Sequence, residues 1–406
     1  MRLGWMMAAC LVIAAQPAGA VDDQPGQRFE ISPDRLPAPY ATPSSGNSSS
    51  RLRRPADATL RVPPGFKVNI FADHLEHARW LTVAANGDVL LAEPREGRVT
   101  LLRDSDKDGR ADLVTTFAEG FDRPHGLAIH GGHLYVGDVR DVWRVPYRPG
   151  DTKATGKREL VGTEGALGSG GGHWTRNIAF SPDGARFYVS VGSAGNIDEE
   201  RAPRATVQEF RADGSFQRTF AAGLRNPVGI AFYPGTNDLY VVVNERDGMG
   251  DGLVPDYLTR LKDGGFYGWP YAYIGPHPQP DYAQRRPDLV KQSIVPDVLF
   301  ESHSAPLGLV FYDGTQFPAA YRGGAFVALH GSWNSGKPTG YKVVFVPFKD
   351  RRPAGGYQNF AVGFWSQGSE RAQVWGRPVG LAIAADGSLL IADDVGQTIW
   401  RVSYGG

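Results

Sequence analysis

This chain of 406 residues has 43 basic and 43 acidic side chains, so it lacks the basic excess that a nucleic-acid-binding domain needs. Its 52 glycines and 30 prolines are too many for a helical protein and suit a turn-rich β protein, which the aromatic share of 11% also favours. Because Cys10 is the only cysteine, an intrachain disulfide is excluded.

The first 20 residues, MRLGWMMAACLVIAAQPAGA, combine Arg2 with a short apolar run and the small residues Ala18-Gly19-Ala20. This pattern predicts a secretory signal peptide at residues 1–20. A buried first helix and a lipid anchor at Cys10 are the alternatives. Later stretches do not reach the roughly 18 apolar residues of a membrane span, so we expect a periplasmic or secreted protein without one.

The next segment is polar and rich in proline and serine, as in PYATPSSGNSSSRLRRPADA. Such a composition cannot bury enough apolar surface to offset the entropy that ordering costs. We therefore predict a disordered arm or linker at residues 21–58 and a folded domain at 59–406.

A repeated unit then follows, in which two strands of alternating polarity are joined by an Asp-Gly, Asn-Gly or Gly-rich turn. Its six copies begin at Arg79, His125, Arg176, Asn226, Ala305 and Arg377. Six such units predict an all-β chain, a six-bladed β-propeller with long inter-blade loops, in which the segment FKVNIFADH closes the last blade. A sandwich of unrelated hairpins is the alternative.

In a propeller, the residues just before each innermost strand meet at one end of the central channel. Those residues are mostly cationic or nitrogen-bearing: Trp80, His125, His173, Arg176, Asn177, Arg225, Asn226, His303 and Arg377. We therefore predict one pocket there, suited to an anionic ligand.

His173 stands at the end of the Gly-rich stretch GSGGG, where the backbone can approach a ligand closely. Arg176 and Arg225 would recognise carboxylates through paired hydrogen bonds. Their charge would also lower the pKa of His173 and leave a neutral imidazole, the form that a general base requires. A purely structural histidine is the alternative.

Two acidic segments are candidate cation sites. The segment VNERDGMGDGLVPDYL carries Glu245, Asp247, Asp251 and Asp256, and predicts either a Ca²⁺ site or a solvated acidic loop. In DSDKDGRAD the first, third, fifth and ninth positions of a calcium loop are Asp104, Asp106, Asp108 and Asp112. The twelfth position holds Thr115 instead of glutamate, and we expect any calcium there to be structural and away from the channel.

Four motifs carry a resemblance to a known family: GGHWTRNIAFSPDG, GLRNPVGIAF, NERDGMGDGLVPDYL followed by GGFYGWP, and GRPVGLAI with GSLLIADD. From about Pro64 onwards the chain resembles the soluble aldose/glucose dehydrogenases that use pyrroloquinoline quinone (PQQ), and is most similar to their L-sorbosone dehydrogenase branch. The resemblance implies oxidation of an aldose or keto-aldehyde sugar by hydride transfer to PQQ, with Ca²⁺ polarising the cofactor. The sequence holds no C-x-x-C-H motif for covalent haem, so electrons would pass to an external acceptor, a cytochrome or a quinone.

The resemblance also implies roles for individual residues. His173 matches the catalytic base, Asp247 and Gly248 match the calcium loop, and Arg225 is both a catalytic and a cofactor-binding candidate. The further cofactor-binding candidates are Arg176, Asn226, Arg377, His125 and Lys342. The family's second arginine in the sixth unit is replaced by Val379, and its fifth-unit lysine has His330, Lys337 and Lys342 as possible counterparts.

Two other functions remain open on the same architecture. A Ca²⁺-dependent lactonase-type hydrolase would place several carboxylates and an asparagine in the channel, where the sequence predicts basic residues. A non-catalytic propeller that binds glycans or proteins would expose aromatic side chains, for which Trp174, Trp333 and Trp375 are candidates.

Overall fold

The computed structural model describes residues 23–215 and 217–405, and the predicted signal peptide lies outside them. Within this part, the helical elements are one α-helix, Pro287–Gln292, and three 3-10 turns, Pro33–Arg35, Ala283–Arg285 and Ala319–Tyr321. Nearly all other regular structure is β, so the predicted all-β class is confirmed.

The six repeated units form six antiparallel sheets, called sheets 1 to 6 in chain order. Sheet 1 consists of Trp80–Val83, Val89–Glu93, Arg98–Arg103 and Leu113–Glu119, and sheet 2 of Gly126–His130, His133–Gly137, Val142–Pro146 and Glu159–Val161. Sheet 3 consists of Arg176–Phe180, Arg186–Val191, Thr206–Arg211 and Gln217–Ala222, and sheet 4 of Asn226–Phe232, Leu239–Asn244, Pro255–Arg260 and Val298–Ser302. Sheet 5 consists of Pro306–Phe311, Ala325–Leu329, Lys342–Val346 and Tyr357–Ala361.

Sheet 6 is built from both ends of the folded part. Its first three strands are Pro378–Ile383, Leu389–Asp393 and Thr398–Tyr404, and its outer strand is Phe66–Ala72. The outer strand pairs antiparallel with Thr398–Tyr404, and Phe66 lies opposite Tyr404. This is the closing strand that the sequence predicted, and it ties the start of the ring of sheets to its end.

The sheets stand in a closed cyclic order. The first strand of each sheet contacts the first strand of the next, and the first strand of sheet 6 contacts that of sheet 1. An apolar cluster fills the space between each consecutive pair of sheets, including sheets 6 and 1, where Leu390 and Leu81 meet. The core is therefore a set of interfaces around an axis, at which Val228, Leu307 and Val379 form a small buried group.

Glycines allow the first strands to approach one another closely near this axis. A side chain at Gly229 would place its Cβ 2.7 Å from the carbonyl oxygen of Leu307 in sheet 5. Gly308 similarly faces the carbonyl of Val379, and Gly380 faces the carbonyl of Arg79. Because main-chain atoms cannot move aside as a flexible side chain can, the inner strands require glycine at these positions.

The structure differs from the predicted disordered arm or linker. Residues 23–58, called the N-terminal arm, follow the surface of the sheets. Arg28–Phe29 adds a fifth strand to sheet 5 by pairing with Tyr357–Ala361, and Ser50–Arg51 pairs in parallel with Gln373–Val374. Main-chain hydrogen bonds thus order a segment that has little apolar surface, a contribution that its composition alone does not reveal.

Short accessory strands occupy the long loops. Ala272–Tyr273 pairs with His277–Pro278, Phe348–Lys349 with Arg352–Pro353, and Trp365–Gln367 with Gln373–Val374, while Gly265–Phe266 joins the edge of sheet 3. In residues 23–215 and 217–405, no helix has the length and hydropathy needed to span a membrane.

Candidate functional site

A cavity of about 570 Å³ lies at the end of the ring where the first strands begin and the second strands end. This volume is in the range of ordinary small-molecule sites. Its walls combine imidazole, guanidinium, carboxylate and aromatic groups from sheets 3 to 6 and from the residues before sheet 1. The side chains used below are His77, Arg79, His173, Trp174, Thr175, Arg225, Asn226, Glu245, Asp247, Asp256, His303, His330, Trp333 and Arg377.

The cavity unites most of the residues that the sequence selected. His173, Arg225, Asn226, Asp247 and Arg377 all line it, although they come from three sheets, 3, 4 and 6. These residues meet because every sheet is an antiparallel meander, so that the first strands of all the sheets begin at the same end of the ring. Trp174 and Trp333 line the cavity as well, whereas Trp375 is buried between Phe364 and Trp400 and takes no part.

His173 has one ring nitrogen engaged and the other available. Its Nδ1 lies 2.9 Å from the carbonyl oxygen of Ser193. Since a carbonyl can only accept, Nδ1 carries the proton and Nε2 keeps its lone pair. Burial, and next the charge of Arg225, lower the pKa of His173 to about 3, so the imidazole is neutral near pH 7. The sequence anticipated the effect of arginine, but burial is the larger cause.

A glycine lets His173 and Asn226 come together. A Cβ on Gly192 would lie 2.6 Å from the Cβ of His173 and 2.5 Å from the Oδ1 of Asn226. That Oδ1 is buried and has no hydrogen-bond partner among the described residues. An unpaired buried acceptor at the wall of a cavity is available to a donor on a ligand.

Arg225 connects several loops around the cavity. Its Nη1 donates to the carbonyl of Glu245 at 2.8 Å, and its Nη2 donates to Oδ1 of Asn196 at 2.9 Å and to Oδ2 of Asp247 at 3.1 Å. The guanidinium is almost fully buried, and this burial lowers its pKa from the ordinary value. Three engaged donors on two sides hold its plane in one orientation.

His303 is a second cavity histidine, and its pKa is shifted in the opposite direction. Its Nδ1 is 3.3 Å from Oδ1 of Asp247, and its Nε2 is 3.1 Å from the carbonyl of Gly250. Burial opposes the charged form, but these two acceptors raise the pKa of His303 overall. These contacts favour the imidazolium form, in which both nitrogens donate, and His303 and Arg225 both lie against the carboxylate of Asp247.

Arg377 and Asp394 organise the opposite wall. Arg377 donates from Nε to the carbonyl of His330 at 2.9 Å and from Nη2 to that of Gly331 at 2.7 Å, which leaves Nη1 for a ligand. Asp394 accepts from Nη1 of Arg79 at 2.8 Å and from Nε2 of His330 at 3.0 Å.

Burial would raise the pKa of Asp394, but His330, His77 and Arg79 hold it well below its usual value. Sequence patterns alone did not reveal this cluster. The sequence feature that could have indicated it is the pair of aspartates in LLIADD, at the end of the second strand of sheet 6.

The cavity is less uniformly basic than the sequence predicted, because Glu245, Asp247 and Asp256 also line it. Asp256 accepts from the main-chain nitrogens of Glu245 at 2.7 Å and Ala305 at 2.8 Å. Burial nevertheless raises the pKa of Asp256 to about 7. Sequence patterns singled out all three acids as candidate cation ligands, although they follow second strands or begin third strands and so do not belong to the basic set that precedes the first strands.

Arg176 does not line the cavity, although it was predicted to bind a cofactor. It lies behind the Gly-rich loop and donates from Nη1 to the carbonyls of His173 at 2.8 Å and Thr175 at 2.9 Å. Arg204, which the sequence did not single out, donates to the carbonyls of Gly192 at 3.1 Å and Gly171 at 2.7 Å. Both arginines therefore position the loop that presents His173.

His125 and Lys342 also lie outside the cavity wall. His125 is fully buried beside Trp174, and its Nδ1 is 2.8 Å from Oδ1 of Asn177. Lys342 is buried as well, with its Nζ 3.0 Å from Oδ1 of Asp23 in the N-terminal arm. Lys342 starts a third strand, which directs it to the arm and away from the axis.

The second acidic segment is only partly assembled. Asp104, Asp106 and Asp108 bring carboxylate oxygens within 4.8 Å of one another, whereas Asp112 accepts a hydrogen bond from the main-chain nitrogen of Ser105. These residues do not line the cavity, in agreement with the expected separation. Calcium binding at this segment stays a prediction.

With this geometry in place, comparison with known proteins identifies the family. A family model described as TrAA12-like matches residues 60–254 and 285–405, which is well over half of the chain. This chain belongs to the TrAA12-like family. The matched regions of this TrAA12-like protein include His173, Arg225, Asp247 and Arg377.

One relative of this TrAA12-like protein is a pyrroloquinoline quinone-dependent pyranose dehydrogenase from Coprinopsis cinerea. It is 26% identical over 416 residues, and the alignment covers 84% of this chain and 54% of the relative. This chain thus matches only about half of the length of that enzyme. The resemblance to PQQ-dependent sugar dehydrogenases is confirmed, while the sorbosone branch stays a prediction.

Solved structures of this group share the fold of the TrAA12-like protein. The holo PQQ domain of the Coprinopsis cinerea pyranose dehydrogenase matches with a TM-score of 0.71 at 23% identity, covering 88% of this chain and 99% of the domain. A calcium structure of a Trichoderma reesei family AA12 enzyme matches with a TM-score of 0.70 at 20% identity, covering 85% of this chain and 97% of that one.

Proposed function

We propose that this chain is a PQQ-dependent dehydrogenase that oxidises an aldose or a keto-aldehyde sugar such as sorbosone. The observation that carries this proposal is the cavity in which the neutral His173 faces the same space as Arg225, Asn226 and Arg377. The name of the pyranose dehydrogenase relative supports both the cofactor and the substrate class. Electrons would leave to an external cytochrome or quinone.

We also infer that the six sheets are the blades of a six-bladed β-propeller. Their first strands contact one another in cyclic order, and an apolar cluster fills every gap between consecutive sheets. Under this assignment the cavity is the mouth of the central channel.

The donor set fits a planar cofactor with several carboxylates. Arg377 keeps Nη1 for a ligand, and the side chain of Arg79 adds a further positive charge beside the indole of Trp174. Asn226 offers its unpaired Oδ1 to a ring N–H or a hydroxyl group. Guanidinium groups match carboxylates in geometry and in charge, so Arg377 would hold a carboxylate of PQQ through Nη1, Asn226 would accept from PQQ, and Arg225, whose nitrogens already donate to protein oxygens, would contribute its charge.

Bound PQQ would supply the hydride acceptor, which no side chain of this protein can replace. The chain's own contribution is proton transfer and orientation. The Nε2 of His173 accepts the proton of the sugar hydroxyl or hydrate, because Nδ1 is already committed to Ser193. Trp174 and Trp333 provide flat walls against which a sugar ring can pack.

We propose that Ca²⁺ binds main-chain oxygens of the loop that carries Asp247 and Gly248. The carboxylate of Asp247 is already held by Arg225 and His303, and the carbonyl oxygens of the loop are hard ligands that keep a lone pair even where they accept a hydrogen bond, as that of Asp247 does from Nδ2 of Asn196 at 2.8 Å. A cation there would add positive charge at the cavity, as a Lewis acid does. The calcium structure of the Trichoderma reesei enzyme supports this choice of metal for the family.

Reconstitution tests the proposal directly. The protein is incubated with PQQ and Ca²⁺, and aldoses and keto-aldehydes are screened with a dye as electron acceptor. We expect dye reduction and a higher melting temperature, because a ligand that binds only the folded state stabilises it. The Arg225→Ala variant should weaken PQQ uptake. If PQQ leaves the melting temperature unchanged and no sugar reduces the dye, the proposal is wrong.

A Ca²⁺-dependent lactonase is the second candidate, and a specific observation favours keeping it. Asp247, Asp256 and Asn226 all reach the cavity, which is the carboxylate and amide set that such a hydrolase needs. The same screen separates the two functions when lactones are offered with Ca²⁺ but without PQQ. Hydrolysis under these conditions would favour the lactonase.

We further propose export to the periplasm or the medium, based on the signal-like pattern of residues 1–20. Cell fractionation with an antibody against the folded part tests this, and retention in the cytoplasm would contradict it.

A further inference from the structure

The rim of the cavity includes two loops that depend on a third, distant segment of the chain. The Asp247 loop, residues 245–254, connects the second and third strands of sheet 4. The Trp333 loop, residues 330–341, connects the second and third strands of sheet 5. Both contribute to the cavity, through Asp247 and Trp333 respectively.

The N-terminal arm supplies hydrogen-bond partners to the Asp247 loop. The main-chain nitrogen of Tyr40 donates to the carbonyl of Met249 at 2.9 Å. The hydroxyl oxygen of Thr42 accepts from the main-chain nitrogen of Asp251 at 2.8 Å. The hydroxyl of Ser44 accepts from that of Gly250 at 3.2 Å. Three consecutive residues of the loop are thus satisfied by the arm.

The arm then crosses to the Trp333 loop. The main-chain nitrogen of Asn47 donates to the carbonyl of Trp333 at 2.6 Å. Its side-chain Nδ2 lies 3.0 Å from the carbonyl of Ser335, 3.3 Å from that of Gly336 and 2.7 Å from that of Glu370. The side chain of Asn47 therefore donates to main-chain carbonyls of two separate loops.

The two rim loops are also joined directly. The main-chain nitrogen of Gly336 donates to Oδ1 of Asp251 at 2.8 Å. Asp251 and Gly336 are each held by the arm as well, so arm and loops form one connected network. Loop main-chain groups need defined partners to keep one conformation, and the arm supplies several of these partners in addition to those from the body, such as Nε2 of His303 at the carbonyl of Gly250.

We propose that the N-terminal arm is a positioning element of the candidate active site, in which Thr42 sets the Asp247 loop and Asn47 sets the Trp333 loop. This assignment also accounts for the polar Ser- and Pro-rich composition of the arm, which supplies hydrogen bonds where apolar burial is small. The ligand assigned to each loop rests on the proposed function, in which the Asp247 loop binds calcium and PQQ and the Trp333 loop binds the sugar.

Asn47→Asp and Thr42→Val test the two contacts separately. Each replaces the critical atom with little change of size. Ser48→Ala is the matched control, because Ser48 neighbours Asn47 and contacts the body through its carbonyl, which accepts from Nε of Arg371 at 2.8 Å. Amide hydrogen exchange of the protein without ligand is the primary measurement, since it needs no activity.

We expect Asn47→Asp to speed exchange in residues 332–341 and Thr42→Val to speed it in residues 247–253, while both leave the six sheets unchanged. In the reconstituted enzyme, Asn47→Asp should raise KM for the sugar roughly tenfold with kcat nearly constant, as the loss of one or two hydrogen bonds predicts. Thr42→Val should weaken Ca²⁺ and PQQ binding by a similar factor, and Ser48→Ala should change neither.

Unchanged exchange in both loops would overturn the inference. Faster exchange throughout the sheets would overturn it too, since that result marks general destabilisation. If the wild-type protein oxidises no sugar but the two variants loosen their own loops selectively, the proposed function fails and the positioning role of the arm stands.

Discussion

At the scale of single residues, two histidines in one cavity show how partners decide protonation. His173 presents one nitrogen to a carbonyl and lies near Arg225, so its pKa falls to about 3. His303 presents both nitrogens to oxygen acceptors, so its pKa rises despite burial. The first imidazole is neutral at neutral pH and can accept a proton, whereas the acceptors around the second favour its charged form beside Asp247.

We predict that His173→Gln lowers kcat by roughly 10²- to 10⁴-fold, the usual contribution of a general base. PQQ affinity should change little, because Arg225 and Arg377 provide the charge that attracts the cofactor. Steady-state kinetics and a PQQ titration measure the two effects. His74→Gln is the control, since that imidazole is almost fully solvent-exposed. Equal loss of binding and turnover would contradict this role.

The pH dependence offers a separate check on the same residue. A base works when it is neutral, and a pKa lowered to about 3 keeps His173 neutral from mild acid upwards. Protonation of His173 should therefore contribute no decline in kcat/KM between about pH 7 and pH 5, where an ordinary histidine of pKa near 6.5 becomes protonated. An acid limb centred near pH 6.5 that disappears in His173→Gln would show that the buried environment is not maintained.

At the scale of elements, glycines at the inner strands decide how tightly the sheets meet. Gly229, Gly308 and Gly380 recur at the same place in their repeated units, and each faces a main-chain atom of the next sheet. The repeat was visible in the sequence as VGI, LGL and VGL. The physical cause of this repeat was not visible in the sequence, because the first strands contact one another only when the sheets have packed into the ring.

We expect Gly308→Ala to destabilise the fold by about 1–3 kcal/mol, since the added methyl would press on the carbonyl of Val379. Urea unfolding followed by tryptophan fluorescence gives the change in midpoint. Gly46→Ala is the matched control, because nothing lies within 4 Å of the Cβ it would add. If the two variants have equal midpoints, the close approach of the inner strands is not a constraint on stability.

At the scale of the whole molecule, closure depends on a strand from the beginning of the folded part. Phe66–Ala72 completes sheet 6, and its Phe66, Val68 and Ile70 pack on the cluster between sheets 5 and 6. The cavity needs that closure because three of its residues come from sheet 6 and its two neighbours. Arg377 precedes sheet 6, His330 follows the second strand of sheet 5, and Arg79 precedes sheet 1.

Two truncations should therefore differ sharply. A chain that begins at Thr59 loses the N-terminal arm but keeps the closing strand, and we expect it to unfold cooperatively at lower stability. A chain that begins at Asp73 leaves sheet 6 with an open edge, and we expect a broad transition with a smaller m-value in urea. Similar cooperative transitions in both truncated proteins would show that the ring does not need its closing strand.

The sequence by itself determined the six hairpin units, the closing strand and most of the cavity residues. Hairpin turns and strand alternation are local signals, and the repeat order places the starts of the first strands together. Only the tertiary structure decided which basic residues reach the cavity. Arg176, His125 and Lys342 have the expected chemistry, yet all three lie outside the cavity wall, where Arg176 donates to main-chain carbonyls, His125 pairs with Asn177 and Lys342 pairs with Asp23.

The Asp394 cluster and the ordered N-terminal arm were likewise settled by contacts between residues distant in sequence. Asn47 and Gly336 are one example, and Asp394 and Arg79 are another. The physical reason is that a hydrogen bond between distant segments depends on where both backbones lie after the ring closes. Local composition reports the cost of ordering a segment but not the partners that it will find.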